Sequence, residues 1–534
     1  MVTFISRIAQ ELIDGPGVLH EKLVLLPNQR AELFLREALK EHVSGTALLP
    51  MFTTVDQFIA QAANLVVVEP LALMVRLFDC YENARMQALP QGTSEGLGSF
   101  LNWGQTLLGD FGEIDRYLLN PKHVLGDLYN VQKLAEWDLE PGEETPLMRR
   151  YSDFIALLPA TYEAFTASLL EDGEAYSGLA ARHLATNPEA IAAYLSKNGV
   201  TQVLIAGLNA LNTAELSIIQ SVREACPTQT LWDIDPHYFN DTLHEAGHFL
   251  RSHVQRQKVF GKDVPSTKGM ASEWKTLPKD IYPVGASQYT GQAKAVAGAL
   301  DELRNAGVSP KDIAVVLADE SLLNPVLSFL PEAYDKVNIT MGYPLDQTAL
   351  AGTVRLWITV IEYALKNQRR SEKWTFYYRS LCALFTDPLF NKYWSGPAGE
   401  NPLEWNAEIV KGNRVFTSAS EWVRRCATGP KGYAALFEAQ DPKGWMTALQ
   451  SWLKHVGRTE EHDPLVQNTA YHIHTLLAQL SRTLTIEVEP LILLKLIKQQ
   501  LRGGTVDFVG EPLEGLQIMG ILESRTLDFK HVVL

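Results

Sequence analysis

The sequence predicts an α/β protein with two parallel-sheet cores, each interrupted by a large helical insertion. Three observations carry this. Residues 23–26 (Leu-Val-Leu-Leu) form a short apolar run that leads through Pro27-Asn28-Gln29-Arg30 into a helical pattern at 31–40, a strand–loop–helix unit. Residues 71–197 keep helical periodicity far beyond the length of an ordinary loop, and residues 350–502 do so again. Apolar, strand-like runs resume after each helical stretch, at 203–207 and at 517–519.

The elements follow in order. Residues 5–13 read as an amphipathic helix ended by Gly15-Pro16-Gly17. Residues 48–52 read as a second strand. Thr53-Thr54-Val55-Asp56 follows it, and 55–65 is helical. The helical stretch divides at its caps and breakers into 71–86, 100–115, 120–134, 146–170 and 175–186. After the strand at 203–207, Asn212 is a sound N-cap, and Glu215 gives capping-box spacing for a helix to 224. Residues 228–233 form a strand with its turn at Asp233–Pro236. Residues 262–279, rich in Pro, Lys, Ser and Gly, read as a linker. A second α/β unit then has strands at 281–285, 313–317 and 337–341 and helices at 289–306 and 322–330. The chain closes on a strand–loop–strand segment at 508–534. Its last apolar strand, 529–534, is expected to pair with 313–317 and to leave the second core incomplete, because such a strand needs partners.

The domain boundaries expected from this are 1–68 with 200–262 for the first core and 69–199 for its helical insertion. A linker follows at 263–279. The second core is 280–349 with 505–534, and its insertion is 350–504.

A length of 534 residues suits three or four domains at roughly 150 residues each. Hydrophobic content of 46% and charged content of 20% are those of a globular protein. No apolar run approaches the ~18 residues of a membrane span, and the N-terminus lacks a signal-peptide core. Cys80, Cys226, Cys382 and Cys426 lie far apart with no C-x-x-C pair, which suits buried thiols and a cytoplasmic protein. The net charge of −15 argues against broad non-specific DNA binding and leaves room for a local basic groove.

The layout and several motifs resemble superfamily 1 helicases of the UvrD/RecB type. More closely, the chain resembles the N-terminal region of the AddB/RexB-type subunit of helicase–exonucleases, proteins of the PD-(D/E)XK nuclease family. The resemblance implies two RecA-like, P-loop-NTPase-like cores. Residues 23–30 (LVLLPNQR), with Asn28 and Arg30, are similar to the family's first DNA-contacting motif. Thr53 and Thr54, with Asp56 and Phe58, look like the next one. Residues 205–215 align with the Walker B motif, but Ala206, Gly207, Asn209, Ala210 and Glu215 stand where the active pattern has Asp-Glu, Gln-Asp and a later Gln. Residues 313–317 resemble motif IV, with Asp319 in the place of an arginine. Residues 519–529 resemble motif V, with Arg525 for its lysine and Asp528 for its glutamate.

ATP hydrolysis on such cores needs a glycine-rich loop ending Gly-Lys-Ser/Thr, an acidic pair for Mg²⁺ and arginines for the transferring phosphate. The sequence contains no G-x-x-x-x-G-K-[ST], the acidic pair is Ala206-Gly207, and the arginine is Asp319. The chain is expected to begin with the helix that would follow the glycine-rich loop. The resemblance therefore implies a helicase-like region without ATPase activity or cofactor. It would guide single-stranded DNA through Asn28, Arg30, Thr53, Thr54 and Arg525 and would scaffold an AddA/RecB-like helicase–nuclease subunit in DNA repair or recombination. The family's nuclease carboxylates are expected beyond Leu534.

Two other function classes stay open. His244-Glu245-Ala246-Gly247-His248 is a literal H-E-x-x-H, which on a helix aligns two imidazoles and a general base for zinc hydrolysis. The simpler account is a capped helix start after Asp241-Thr242, and the extended motif fails at Arg251. The third class is a protein-interaction scaffold without DNA contact. Residues 366–379 (KNQRRSEKWTFYYR) interleave basic and aromatic residues, either as a single-strand surface or as a helix end followed by a packing face. Trp394, Trp405, Trp422, Trp445 and Trp452 read as core or partner interface. Asp233, Asp235 and Asp241 read as turn and N-cap residues in preference to metal ligands.

Overall fold

Strand β1 (Lys22–Leu26) is buried along all five residues, as expected of a parallel strand covered on both faces. The structure is a computed structural model that describes residues 3–43, 46–88, 96–127, 146–368, 374–397, 400–430, 432–460, 462–484, 488–506 and 514–534. Even Lys22 is buried, because its ammonium donates to the carbonyls of Leu12 at 2.8 Å and Gly15 at 3.2 Å. Those carbonyls lie at the C-terminal end of α1 (Phe4–Asp14), where unpaired acceptors and the helix dipole favour a cation.

The chain divides into two compact units, 1–338 with 511–534, and 339–510. The two four-stranded sheets lie in the first, apart from Ile339 at the boundary. Around β1 stand β2 (Met51–Thr54), β3 (Gln202–Ala206) and β4 (Thr228–Leu231), in the order β2–β1–β3–β4, all parallel. Leu26 aligns with Thr54 and Ala206 with Leu231, so every strand ends on one rim. Helix α2 (Gln29–His42) follows β1, α3 (Val55–Ala63) follows β2 and α4 (Thr213–Ala225) follows β3. Each begins with a side-chain cap on that rim: Asn28, Thr54 and Asn212. Thr54 pairs reciprocally with Gln57, and Asn212 with Glu215. The apolar face of α1, from Phe4 through Leu12, packs with Leu35 and Leu39 of α2 and with Val24 and Leu204 of the sheet.

The second sheet is built from β5 (Ile313–Leu317), β6 (Val337–Ile339), β7 (Leu516–Gly520) and β8 (His531–Val533), in the order β8–β5–β7–β6. The final strand pairs with β5 in parallel, as expected. The expected strand at 281–285 does not form. Its residues are extended outside any ladder, with Ile281, Tyr282 and Val284 70–81% exposed. The two sides of β5 are already taken by β8 and β7, so this apolar segment finds no partner there. The strand expected at 48–52 forms three residues later, since Leu48 is exposed and Thr53 is buried.

Between α3 and β3 the described residues are mostly helical, with principal helices Pro70–Ala88, Gly104–Arg116, Pro146–Glu171 and Ser177–Thr186, and Val66–Val67 pairs in parallel with Glu174–Ala175. The helix expected at 120–134 runs over Pro121–Asp127, and its remainder lies outside the described residues. At the centre of the bundle, the fully buried Asp115 carboxylate accepts from Tyr162 Oη at 2.5 Å, from Tyr176 Oη and from Arg182 Nε at 2.5 Å. Arg182 also donates to the carbonyls of Ile114 and Leu119.

The second unit is helical around α5 (Ala349–Gln368), with Trp357, Trp405, Trp422, Trp445 and Trp452 fully buried. The last four are therefore core residues. Trp394 packs edge-on against Trp405 and Tyr433. Cys226 and Cys426 are buried and Cys80 and Cys382 half-buried, all as free thiols. Among the described residues, no helix is long and apolar enough to cross a membrane.

Removing one partner from a buried charge network strands the others without water. Asp115→Ala is expected to lower stability by about 3–5 kcal/mol, measured by urea unfolding. The exposed control Glu189→Ala should change it by less than about 0.5 kcal/mol.

Candidate functional site

Parallel strands put their C-terminal ends, and the loops after them, on one edge, the usual ligand-binding edge of an open α/β sheet. Asn28, Thr53, Thr54 and residues 207–210 all fall there. Asn28 Oδ1 accepts from the Ala31 amide at 2.8 Å, and Thr54 Oγ1 accepts from the Gln57 amide at 3.3 Å. Both side chains are thus N-caps, and the first turns of α2 and α3 point their free amides at this rim. Thr53 is buried, and its hydroxyl donates to the Thr54 carbonyl. Ala210 is exposed. Asn209 gives its carbonyl to His253 Nε2 at 2.7 Å, and its own amide oxygen is buried without a partner. Glu215 is spent on the Asn212 capping box.

The two sheets meet through the segment 523–529, the loop after β7. Thr526 is its pivot. It is a buried, β-branched residue with φ of 67°, a conformation that costs energy and persists only where the surroundings enforce it. Its methyl group lies on Gly207, immediately after β3: a Cβ at 207 would sit 2.4 Å from Thr526 Cγ2, 3.4 Å from Phe4 Cε1 and 3.6 Å from Pro27 Cδ. Gly207 itself has φ of +72°. Leu527 enters the apolar cluster of α1, α2 and the first sheet. Asp528 Oδ2 accepts from the Phe4 amide at 3.0 Å, at the first turn of α1. Phe529 meets Phe34 of α2 edge-on, with centroids 6.1 Å apart.

Charges line the same contact. Arg30 is half-buried near Glu523, and burial brings its guanidinium down to about 10 while Glu523 opposes the shift. Its Nε is buried without a hydrogen-bond partner, as are Glu523 Oε2 and Arg525 Nη2. Arg525 is also half-buried, its pKa lowered by burial with Asp233 opposing. The Asp233 carboxyl is pushed up to about 6, first by burial and then by Asp528, with Arg7 and Arg525 pulling it down. The sequence singles out Arg30 and Arg525 as DNA contacts. In the structure each guanidinium is half-buried and within electrostatic reach of a carboxylate from the other sheet's loops, Glu523 for Arg30 and Asp233 for Arg525.

Asp319, in the arginine place of the motif IV resemblance, is an exposed cap. It accepts from the Ser321 amide at 3.0 Å, from Ser321 Oγ at 2.6 Å and from Tyr289 Oη at 2.6 Å, and these bonds hold its pKa below the usual carboxylate range.

The H-E-x-x-H stretch does not lie on one helix. His244 is extended and caps the 3-10 turn Glu245–Gly247, and the α-helix begins only at His248. The cause is Arg251, whose guanidinium donates to the carbonyls of Tyr238 at 2.9 Å, Asp241 at 2.8 Å and His244 at 2.7 Å. Gly247 is needed there, because a Cβ would stand 2.3 Å from Arg251 Nη1 and 2.4 Å from the Tyr238 carbonyl. Among the described residues, no three His, Cys, Asp or Glu side chains converge on a metal-sized site. Asp235 and Asp241 are turn and cap residues, bonded to the amides of His237 and Leu243. Asp233, just after β4, is an exposed residue within electrostatic reach of Arg525.

Sequence reasoning missed Glu523, Asp233 and Phe4 as parts of one site. The only local signal was the Asp528 position in the motif V resemblance. Compared with known proteins, the chain matches no family model and no curated sequence.

Three outcomes follow from this geometry. Gly207→Ala is expected to destabilise the first unit by about 2–3 kcal/mol, from the positive φ and the overlap with Thr526. Asp528→Ala should lose about 1 kcal/mol and speed exchange of the Phe4 amide, both read by hydrogen exchange with mass analysis. The third outcome concerns pH. The folded state holds the Asp233 proton to about 6, against 3.8 ordinarily. It therefore binds more protons than the unfolded chain in that window, and this residue's contribution to stability falls as pH rises from about 4 to 6. Thermal melts of Asp233→Asn should show a smaller loss across that window than the parent.

Proposed function

We propose that this chain is the helicase-like, non-hydrolysing region of an AddB/RexB-type exonuclease subunit. It guides single-stranded DNA and scaffolds an AddA/RecB-like helicase–nuclease in the cytoplasm during DNA repair or recombination. In this reading the two four-stranded sheets are RecA-like cores. The observation that carries it is the state of Gly207. Where a nucleotide-hydrolysing core places acidic groups for Mg²⁺, this chain has Ala206 and Gly207, and the space over Gly207 is filled by Thr526 and Phe4. The anion-attracting first turn of α1 is met by the chain's own Asp528 carboxylate. The pieces that would serve nucleotide chemistry hold the sheets together instead.

The rim keeps features suited to a phosphate backbone. The first turns of α2 and α3 lie side by side behind Asn28 and Thr54, since their strands are neighbours. Arg30 and Arg525 would join them by exchanging Glu523 and Asp233 for a phosphate, a trade between two anions at one guanidinium.

The test has two arms on the full chain. ATP turnover should stay at background with and without single-stranded DNA; robust DNA-stimulated turnover would falsify the non-hydrolysing reading. A labelled oligothymidine should bind at low salt with log K falling linearly in log salt, and Arg30→Ala should reduce that slope by about 0.7. Absence of binding at low salt would favour a protein scaffold without DNA contact.

A further inference from the structure

In a two-stranded ribbon of the second unit, Thr375–Tyr377 pairs antiparallel with Phe416–Ser418. Alternation along each strand is strict. Phe376 and Thr417 face inward and are buried, at 0% and 2% exposure. The outward face of such a ribbon is normally polar, because it meets water. Here its cross-strand pair is Tyr377 and Phe416, with ring centroids 5.7 Å apart and Phe416 51% exposed. Tyr363, near the end of α5, extends the row at 5.3 Å from Tyr377 and is 43% exposed. Tyr378 continues it at 5.0 Å. Four aromatic rings thus form one contiguous patch that the core does not use.

Cations stand at its margins. Lys366 Nζ lies 5.5 Å from the Tyr363 centroid, and Arg379 Cζ lies 5.9 Å from that of Tyr378. Both side chains belong to exposed residues. Among the described residues, Glu362 is committed to Lys498 at 2.7 Å and Glu421 to Arg414. The patch is therefore aromatic at its centre and positive at its edges, on a chain whose net charge is −15. The rings stand at 37–72° to their neighbours, so each offers its own face for stacking to a planar group. Flanking ammonium and guanidinium groups select a ligand that carries anions beside those groups. A single-stranded nucleic acid has both at every residue, in its bases and its phosphates.

We propose that Tyr363, Tyr377, Tyr378 and Phe416 are a stacking platform for the bases of single-stranded nucleic acid, with Lys366 and Arg379 as its phosphate contacts. The assignment rests on the reading of the chain as a single-strand guide and adds a second contact area, separate from the rim of the first sheet. It involves no sequence readout, because stacking accepts any base.

The experiment is photo-crosslinking of a 5-iodouracil-substituted single strand to the full chain, with peptide mapping and affinity measured on the same samples. Crosslinks are expected on Tyr377 or Phe416. The double variant Tyr377→Ala/Phe416→Ala should lose them and bind roughly tenfold more weakly, with an unchanged melting temperature. Lys366→Gln/Arg379→Gln alters only exposed side chains, and should weaken binding at low salt while lowering the salt slope by about 1.4. Crosslinks confined to residues 28–54 and 525, with both variants binding like the parent, overturn the platform and leave the single-strand reading standing. No crosslink and no binding at low salt overturns both. Unaltered DNA affinity in the two double variants, alongside loss of a copurifying protein, overturns the platform in favour of a protein-docking face.

Discussion

The first unit depends on a missing side chain. Gly207 leaves a notch at the end of β3, and the Thr526 methyl group occupies it. A Cβ in that notch would push the segment 523–529 off the first sheet. Leu527, Asp528 and Phe529 would then lose their seats on α1 and α2. Thr526 accepts an unfavourable backbone geometry to reach the notch, and the strain is tolerated because contacts on both sides of it are satisfied together. Absence of a carboxylate at position 207 and closure of the sheets are thus one structural fact. A residue able to hold Mg²⁺ there would not leave room for the contact.

The charges along this seam add register to it. Burying a guanidinium or a carboxylate alone is unfavourable, and an opposite charge across the seam offsets part of that penalty. Arg30 is within electrostatic reach of Glu523, and Arg525 of Asp233. Away from the seam, the same rim is organised by ordinary helix capping. Asn28, Thr54 and Asn212 end their strands and begin their helices in the same way.

The H-E-x-x-H stretch shows why residue spacing is insufficient for assigning chemistry. The spacing that would align two imidazoles requires a helix through all five residues, and Arg251 prevents one by gathering carbonyls from 238 to 244. The glycine inside the motif is explained by the same guanidinium. The basic and aromatic run at 366–379 has the opposite history. Its strand portion, 375–377, does pack, but only on every second residue, and the alternation leaves Tyr377 outside.

What the sequence determined by itself was local. The continuous apolar run at 23–26, the capping box at Asn212 and Glu215, the long helical stretches and the strand at 313–317 are each decided by neighbours within a few residues. The tertiary structure alone decided which distant groups meet. Asp528 caps a helix 524 residues away in sequence, and Asp233 comes within electrostatic reach of Arg525. It also left residues 281–285, apolar enough for a strand, outside both four-stranded sheets, where β8 and β7 flank β5. Periodicity records which face of an element is buried. It carries no information about which neighbour arrives to bury it, and the seam around Gly207 is made wholly of such neighbours.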